Sequence, residues 1–571
     1  MRRTFNEHIT RRVSDLCGSW RFLADPQDKG DKLGYANGLP EGEMVTVPSV
    51  WNTDLGMLNY HGCAWYEKTF YTEGGTLLFD FESVMTQADV FLDGVHIGNH
   101  YGAFSEFDII VKDVKSGFHT LVVRVESRPN EKSIPQQRVD WFNYGGIARD
   151  VSLHSLEGIS ILSNHIKYTL NKELTVATVC SELELFNARD EKCSSRVTVA
   201  VGEAEIYSAN VELDPYETRT VLTPSIEMKD ISLWDIDTPV LYSVVASTDT
   251  DDLIDRIGFR YIEAGNNKIL LNGKQIEIRG VNRHEEHPDW GFAFPQRLMK
   301  KDLDLICDMG CNAIRGSHYP QSRAFVDMLD ERGILFWSEI PIWGCGFSEK
   351  VLNDPDVVER GLEMHREMLK YYYNHPSIVI WGMHNEVWVY PCIYEITKKY
   401  NAFLRENGGN RLITHATLAP VDETTYEFDD IICINQYHGW YYGGLESWDK
   451  LLVDLEAYMK KTGQVGKPVI FSEFGAGALA GYHEHFDSIR WSEEFQADLI
   501  EYCLELFHKT DFVHGFYIWQ FCNIRTYHGM DLNRVRCFNN KGIVDEHRNP
   551  KAAYFTVRKL YQKFAKEEQS K

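Results

Sequence analysis

The sequence predicts three units in line: a jelly-roll β-sandwich over residues 1–157, an immunoglobulin-like β-sandwich over 158–262, and a (β/α)8 TIM barrel over 263–571. Three observations carry this. The first stretch is built of short alternating apolar runs between turn signals, as sandwiches require. The second is about a hundred residues of the same kind, the size of an immunoglobulin-like module. From residue 263 onward the rhythm changes, and apolar strand-like runs alternate with helix-period stretches through eight units.

In the first unit, Thr76–Glu82, Ala88–Leu92 and His119–Val125 read as strands, and Asp93-Gly94 is a hairpin turn between two of them. Trp20, Trp51 and Trp65 lie inside strand-like apolar patterns and are read as core. A sugar-stacking surface is the alternative use of such rings. In the second unit Ser195–Val201 and Tyr242–Ser247 alternate, and no catalytic constellation is visible. Spacing or subunit contact is its expected task. The barrel strands are read at Ile276–Asn282, Asn312–Arg315, Ile334–Trp337, Ile378–Trp381, Leu412–Thr414, Ile431–Ile434, Val469–Phe471 and Gly515–Trp519. Between them lie helices such as Arg297–Cys307 and the stretch opened by Ser492-Glu493-Glu494-Phe495, a helix-start signature. No repeat is present, and the one biased segment is the charged tail Lys566–Lys571.

Composition narrows the function. With 43% apolar residues the chain can fill a sizeable core. A formal charge of −25 argues against nucleic acid or an anionic membrane as partner. The start Met-Arg-Arg-Thr-Phe-Asn-Glu-His lacks the apolar stretch of a secretion signal, and no apolar run approaches a membrane span, so the expected location is cytoplasmic. The twelve cysteines follow no framework, Cys307-x3-Cys311 included, and are read as reduced thiols.

Chemistry concentrates at the ends of the predicted barrel strands, where barrel enzymes place it. Ile378-Val-Ile-Trp381 turns abruptly polar and ends in Asn385-Glu386; Val469-Ile-Phe471 ends in Ser472-Glu473. One strand-end glutamate is an ordinary salt-bridge partner. Two at matched positions are what retaining glycoside hydrolysis needs, one giving a proton to the leaving oxygen and the other attacking the anomeric carbon. Their mutual repulsion would raise one pKa and keep it a proton donor near neutral pH. Other strand ends are polar as well: His284-Glu-Glu-His287, Arg315-Gly-Ser-His318, Asn435-Gln-Tyr437 with Trp440 and Tyr441, and Trp519. Aromatic faces with amide and hydroxyl rims suit a sugar ring. His284-Glu-Glu-His287 resembles a metal cluster on paper, but a strand end lacks the helical spacing of a zincin, so no metal is expected.

Gly280-Val-Asn-Arg-His284-Glu-Glu-His-Pro288, Arg315-Gly-Ser-His318-Tyr-Pro320, Asn385-Glu386 and Ser472-Glu473-Phe-Gly475, with Pro48-Ser-Val-Trp-Asn52 and Gly62-Cys-Ala-Trp65-Tyr66, together resemble the family 2 glycoside hydrolases over nearly the whole chain. The resemblance implies a jelly roll, an immunoglobulin-like domain and a catalytic barrel, with Glu386 as acid/base, Glu473 as nucleophile and Asn385 on the sugar 2-hydroxyl. Asn539-Asn-Lys541-Gly542 resembles the Asn-x-Lys signature of β-glucuronidases, in which the asparagine and lysine grip a sugar carboxylate. An ammonium and an amide offer that group charge-assisted donors, which a neutral galactose cannot use. The same resemblance places Asp140 on sugar hydroxyls and Tyr437, Tyr441, Trp519 and His318 around the pocket. It leaves Arg534 and Arg536 as rivals for one further contact.

The chain departs from the family in two places. Val387 replaces the proline common after Asn-Glu, and the short Trp343–Lys350 segment lacks a long lid, which favours a longer or wider glucuronide over small drug-like ones. The expectation is a cytoplasmic, bacterial-type retaining exo-β-glucuronidase that acts on a glucuronide small molecule or oligosaccharide end. It needs no metal or organic cofactor, although some similar gut bacterial enzymes carry a flavin away from the active site. It is expected to form a homo-oligomer, a dimer or tetramer. The alternatives are a β-galacturonidase or β-galactosidase on the same scaffold, or a non-catalytic carbohydrate-binding protein.

Overall fold

The computed structural model describes residues 3–136, 139–527 and 534–569, with nothing said of the Cys345 and Gln569 side chains. Within residues 13–156, a six-stranded antiparallel sheet faces a four-stranded one. The six-stranded sheet is centred on Cys63–Thr72 and Gly117–Glu126. The four-stranded sheet pairs Gly75–Phe81 with both Phe107–Val114 and Val151–Leu156. Strand alternation is visible directly: in Gln87–Leu92 every second residue is buried. That strand returns through Asp93-Gly94 into Val95–Tyr101, with Leu92 opposite Val95, and both turn residues have positive φ (49° and 82°), as a tight hairpin demands. Trp20, Trp51 and Trp65 are buried, so the core reading of all three holds.

Two further four-stranded sheets fill residues 159–257. One is built on Ile159–Leu170 and Val176–Asn187, the other on Cys193–Val201 and Tyr242–Ser247. Val197, Val199 and Val201 all point into the core between them.

The eight parallel strands close into a barrel. They are β1 (Ile278–Arg283), β2 (Ala313–Gly316), β3 (Leu335–Glu339), β4 (Ile378–Asn385), β5 (Leu412–Thr417), β6 (Ile432–Asn435), β7 (Val469–Phe474) and β8 (Val513–Ile518). β2 to β7 are buried at every position, which is why they read as continuous apolar runs. One boundary differs from the sequence reading. Ile276 pairs with Ile269 in an antiparallel meander, Ile262–Gly265, Lys268–Leu271 and Lys274–Ile276, and β1 begins two residues later. Ile262, Ile269, Leu271 and Ile276 of that meander pack with Trp337, Ile380, Ile470 and Tyr517, closing the barrel end away from the polar strand termini. The helix Glu493–His508 starts as its signature predicts: the Ser492 hydroxyl accepts from Phe495 N at 3.1 Å.

The front sandwich is docked onto the barrel mouth. Arg149 donates to Glu285 at 2.8 Å, the Tyr144 hydroxyl to Glu286 at 2.7 Å, and Phe104 stacks flat on Tyr319 at 3.8 Å. These contacts bring the segment carrying Asp140 over the strand ends. No described cysteine is paired in a disulfide. Among the described residues no helix is long and apolar enough to cross a membrane.

Candidate active site

A cavity of about 740 Å³ opens at the C-terminal ends of the barrel strands; Glu386, Glu473, Tyr437, Trp519, Lys541 and Asp140 are among its walls. Glu473 lies within β7, and its strand register is held by β6, where Asn435 is its neighbour. Glu386 follows β4 directly. Successive strand residues point to opposite faces, so Asn385 and Glu386 could not share a pocket on a regular strand. Glu386 escapes this with left-handed backbone (φ 50°), pinned by Glu386 N donating to Ala416 O of β5 at 2.8 Å. Both side chains then reach one amide: Asn435 Nδ2 donates to Glu386 Oε1 at 2.9 Å and lies 3.1 Å from Asn385 Oδ1.

Around Glu473 the donors are strong. Arg315 Nη1 donates to Oε1 at 2.9 Å and the Tyr437 hydroxyl to Oε2 at 2.7 Å. Burial and the neighbouring Glu386 charge nevertheless push Glu473 up to about 8, against the pull of Arg315 and Tyr437. The donors on both Glu473 oxygens favour its ionised form and oppose that rise. Arg315 also forks onto Glu339 at 2.9 and 3.1 Å and donates to Asn385 Oδ1 at 2.7 Å. With Oδ1 thus occupied, the orientation of the Asn385 amide is set. Its Nδ2 is buried and has no partner among the described residues. His318 is buried, held neutral by burial and by Arg315, bonded to Glu339 through Nδ1 at 2.6 Å and stacked on Trp519 at 5.2 Å.

The opposite wall comes from loops. Lys541 is 2% exposed; burial pushes its pKa down, and Nζ donates to the Tyr441 hydroxyl. Its ammonium lies over the rings of Tyr441 and Tyr437, at 4.6 and 5.3 Å. Tyr437 thus links the two walls, with its hydroxyl on Glu473 and its ring beside Lys541. Gly542 lets the chain bend here, since a Cβ would lie 2.2 Å from Asn523 N. Asp140 is gripped by Arg534 Nε at 2.9 Å and Nη2 at 2.6 Å, and by Asn539 Nδ2 at 2.7 Å. The rivalry between the arginines is settled by position: Arg534 lines the cavity, whereas Arg536 is half exposed and pairs with Glu546 at 3.1 Å. Asn539 is fully buried and directs its amide to Asp140 and to Lys541 N.

The cluster His284-Glu-Glu-His287 is spread over separate partners. His284 contacts the Tyr319 hydroxyl, Glu285 pairs with Arg149, Glu286 takes Tyr144, and His287 caps Asp289 N. Among the described residues, the groups of His, Cys and carboxylate close enough to share a cation include no residue of this cavity.

Several site residues were not singled out as site residues from sequence. Glu339 ends β3 with the same apolar-run-then-acid pattern that marked the other two glutamates, and that signal could have found it. Arg315 and Asn435 were visible as polar strand ends without an assigned role. Trp343, Trp388, Leu418, Gln436 and Tyr442 also line the cavity; they sit on loops and carry no periodic signal.

Comparison with known proteins places the whole chain among glycosidases. A β-glucuronidase of Paenibacillus borealis is 27% identical over 600 residues, covering 95% of this chain and 96% of its own. The crystal structure of a β-galacturonidase from Eisenbergiella tayi bound to galacturonate superposes with a TM-score of 0.91 at 31% identity, over 99% of both chains. The Ruminococcus gnavus β-glucuronidase structure does so at 0.86 and 26%, again over 99% of both. The family model "Glycosyl hydrolases family 2" matches residues 159–260. The model "Glycosyl hydrolases family 2, TIM barrel domain" matches residues 262–566, and with that match the chain belongs to glycosyl hydrolase family 2 as a glycosidase.

Proposed function

We propose that this glycosidase removes a terminal β-linked hexuronate, glucuronate in first place, with retention at the anomeric carbon. The observation that carries the reading is Lys541: a buried ammonium one tyrosine ring away from Glu473, in a protein of net charge −25. A neutral hexose has no use for a buried cation, whereas a sugar carboxylate offers it a charge-assisted partner. Glu473 attacks the anomeric carbon as the bond to the leaving oxygen breaks, forming a glycosyl ester. Glu386 gives its proton to that oxygen. It then takes a proton from water, which attacks the same carbon and releases Glu473 as carboxylate. The partnerless Asn385 Nδ2 is the donor for the 2-hydroxyl, a contact that strengthens as positive charge develops on the ring. The half-exposed Trp388, two residues past Glu386, lines the same cavity and would suit a flat or extended aglycone.

The two glutamates supply both proton transfer and nucleophile, so the reaction is proposed to proceed without metal or flavin; activity is expected to survive exhaustive chelation and desalting. A cytoplasmic homo-oligomer, dimer or tetramer, completes the proposal, with sedimentation velocity as its check.

A β-galacturonidase is the second reading, supported by the likeness to the Eisenbergiella tayi enzyme. The two uronates differ in the C4 configuration and share the carboxylate that Lys541 would hold. A panel of aryl β-glucuronide, β-galacturonide and β-galactoside tests both. The glucuronide is expected fastest and the galactoside slowest. A fastest galacturonide installs the second reading, a fastest galactoside overturns the uronate assignment, and no turnover of any leaves a binding protein.

A further inference from the structure

Behind Glu386, on the side away from the cavity, lies a buried charged cluster that the reaction above does not use. His415, on β5, is 2% exposed. Its Nδ1 meets Asp429 at 3.0 Å and its Nε2 meets Glu423 at 3.4 Å, and both acids are buried. Burial works against charge on His415, but the two carboxylates outweigh it and push the imidazole up to about 10. Burial pushes Asp429 up to about 6 against the pull of His415, while Glu423 is held below its ordinary range despite its burial. At neutral pH the cluster is therefore one imidazolium between two carboxylates, with Lys467 of the neighbouring loop beside Asp429 and the neutral His384 ring 4.7 Å from His415.

Two lines of contact run from this cluster to the cavity. Ala416, next to His415, supplies the carbonyl that accepts from Glu386 N at 2.8 Å, the bond that fixes the left-handed turn at the glutamate. Glu423 accepts from the Thr417 hydroxyl at 2.8 Å and from Thr424 N and Thr425 N at 2.9 and 3.0 Å, tying the 417–425 loop shut. That loop carries Leu418, a cavity wall residue whose carbonyl accepts from Gln436 Nε2, itself of the wall, at 2.7 Å.

We infer that His415, clamped by Asp429 and Glu423, is a positioning residue for Glu386 and for the Leu418 part of the cavity wall. Burying three charges is costly and gives stability that apolar packing would match. What the clamp adds is a fixed backbone at Glu386, whose conformation departs from its strand. General acid catalysis is sensitive to that placement, because a displacement of the order of 1 Å can cost about 100-fold.

The test rests on Glu386 as the acid and compares leaving groups on the preferred uronide: 4-nitrophenol, which departs without help, and methanol, which needs a proton. His415→Gln is expected to lose about 10-fold more rate on the methyl than on the nitrophenyl uronide. The ratio is independent of how much enzyme is folded, so a merely structural role would lower both equally. If His415→Gln does not fold, Glu423→Gln, which keeps the shape of the loop staple, is expected to show the same bias at about 3-fold. Glu386→Gln is the reference. Should it show no leaving-group bias, the acid assignment fails. Should it show the bias while His415→Gln and Glu423→Gln lose equally on both substrates, the positioning role is overturned.

Discussion

The two walls of the cavity are built differently. The glutamate wall stands on barrel strands: Glu473 lies within β7, Glu386 directly after β4, and Asn435 and Arg315 at the ends of β6 and β2. The other wall is assembled from loops of distant origin: Asp140 from the front sandwich, Tyr441 from the segment after β6, and Arg534 and Lys541 from the segment after β8, where Asn539 also donates to Asp140. Strands hold reacting groups within tenths of an ångström, and loops can be exchanged to change the sugar recognised. On the proposed function, chemistry and specificity have separate mechanical supports, and mutations at the two walls should fail in different ways.

The largest effect is expected at Glu473. Glu473→Gln should lower turnover on the order of 10⁴-fold or more on every glycoside, since a missing nucleophile removes the covalent step itself. Its stability should move the other way. A carboxyl whose folded pKa is raised to about 8 binds its proton more tightly folded than unfolded. It therefore costs stability progressively as pH rises from the ordinary glutamate value through about 8. Thermal melting of Glu473→Gln at pH 8.5 is expected above wild type, with the gap closing towards pH 4.5. A lower melting point at both pH values would show that the carboxylate is a net support.

Glu386→Gln comes next, at about 10²- to 10⁴-fold on poor leaving groups and much less on good ones. It also tests the coupling of the two carboxyls. In the wild type the acid limb of kcat/KM should report the ionisation of Glu473, raised by burial and by Glu386. Removing the Glu386 charge removes one of the influences that raise Glu473. The acid limb measured on the nitrophenyl uronide should then move to lower pH. An unmoved limb would mean that the two carboxyls do not sense each other.

On the loop wall the losses should be selective. Lys541→Ala is expected to cost about 10- to 100-fold on uronides, the worth of a charged hydrogen bond of about 1.5–3 kcal/mol, with little change on a neutral galactoside. Equal losses on both substrates would break the contrast between the walls, because Lys541 would then serve the glutamates.

The same contrast explains what could be read from sequence. The eight strands were legible because residues buried on both faces leave continuous apolar runs, and the two glutamates because they end two such runs at matched positions. The left-handed turn that lets Asn385 and Glu386 reach one amide, that of Asn435, has no signature in a non-glycine residue. Lys541 was found through resemblance alone; nothing periodic marks a loop lysine as buried. Spacing could not choose between Arg534 and Arg536. The choice depends on Asp140, nearly 400 positions earlier in the chain and brought close by domain docking. The first barrel strand was placed two residues early because Ile276 is as apolar as Ile278, although one seals the barrel floor and the other lies in its wall.

The arginine pair gives the finest test of the loop wall. Arg534 and Arg536 are two residues apart, yet only Arg534 is engaged with Asp140, Tyr441 and the cavity. Arg536 lies 55% exposed against Glu546, where an ion pair is worth at most about 1 kcal/mol. Arg536→Ala should therefore leave kcat/KM within about 2-fold of wild type. Arg534→Ala removes a bidentate partner from a carboxylate on the cavity wall, and about 10-fold is expected on uronides, chiefly in KM. The direction discriminates between two roles of Asp140. If it must be held still to meet the sugar hydroxyls, Asn539 alone will not hold it and the loss appears. If its charge merely opposes an anionic sugar, freeing it from Arg534 deepens the loss on uronides and spares the galactoside, which a side-by-side KM measurement resolves.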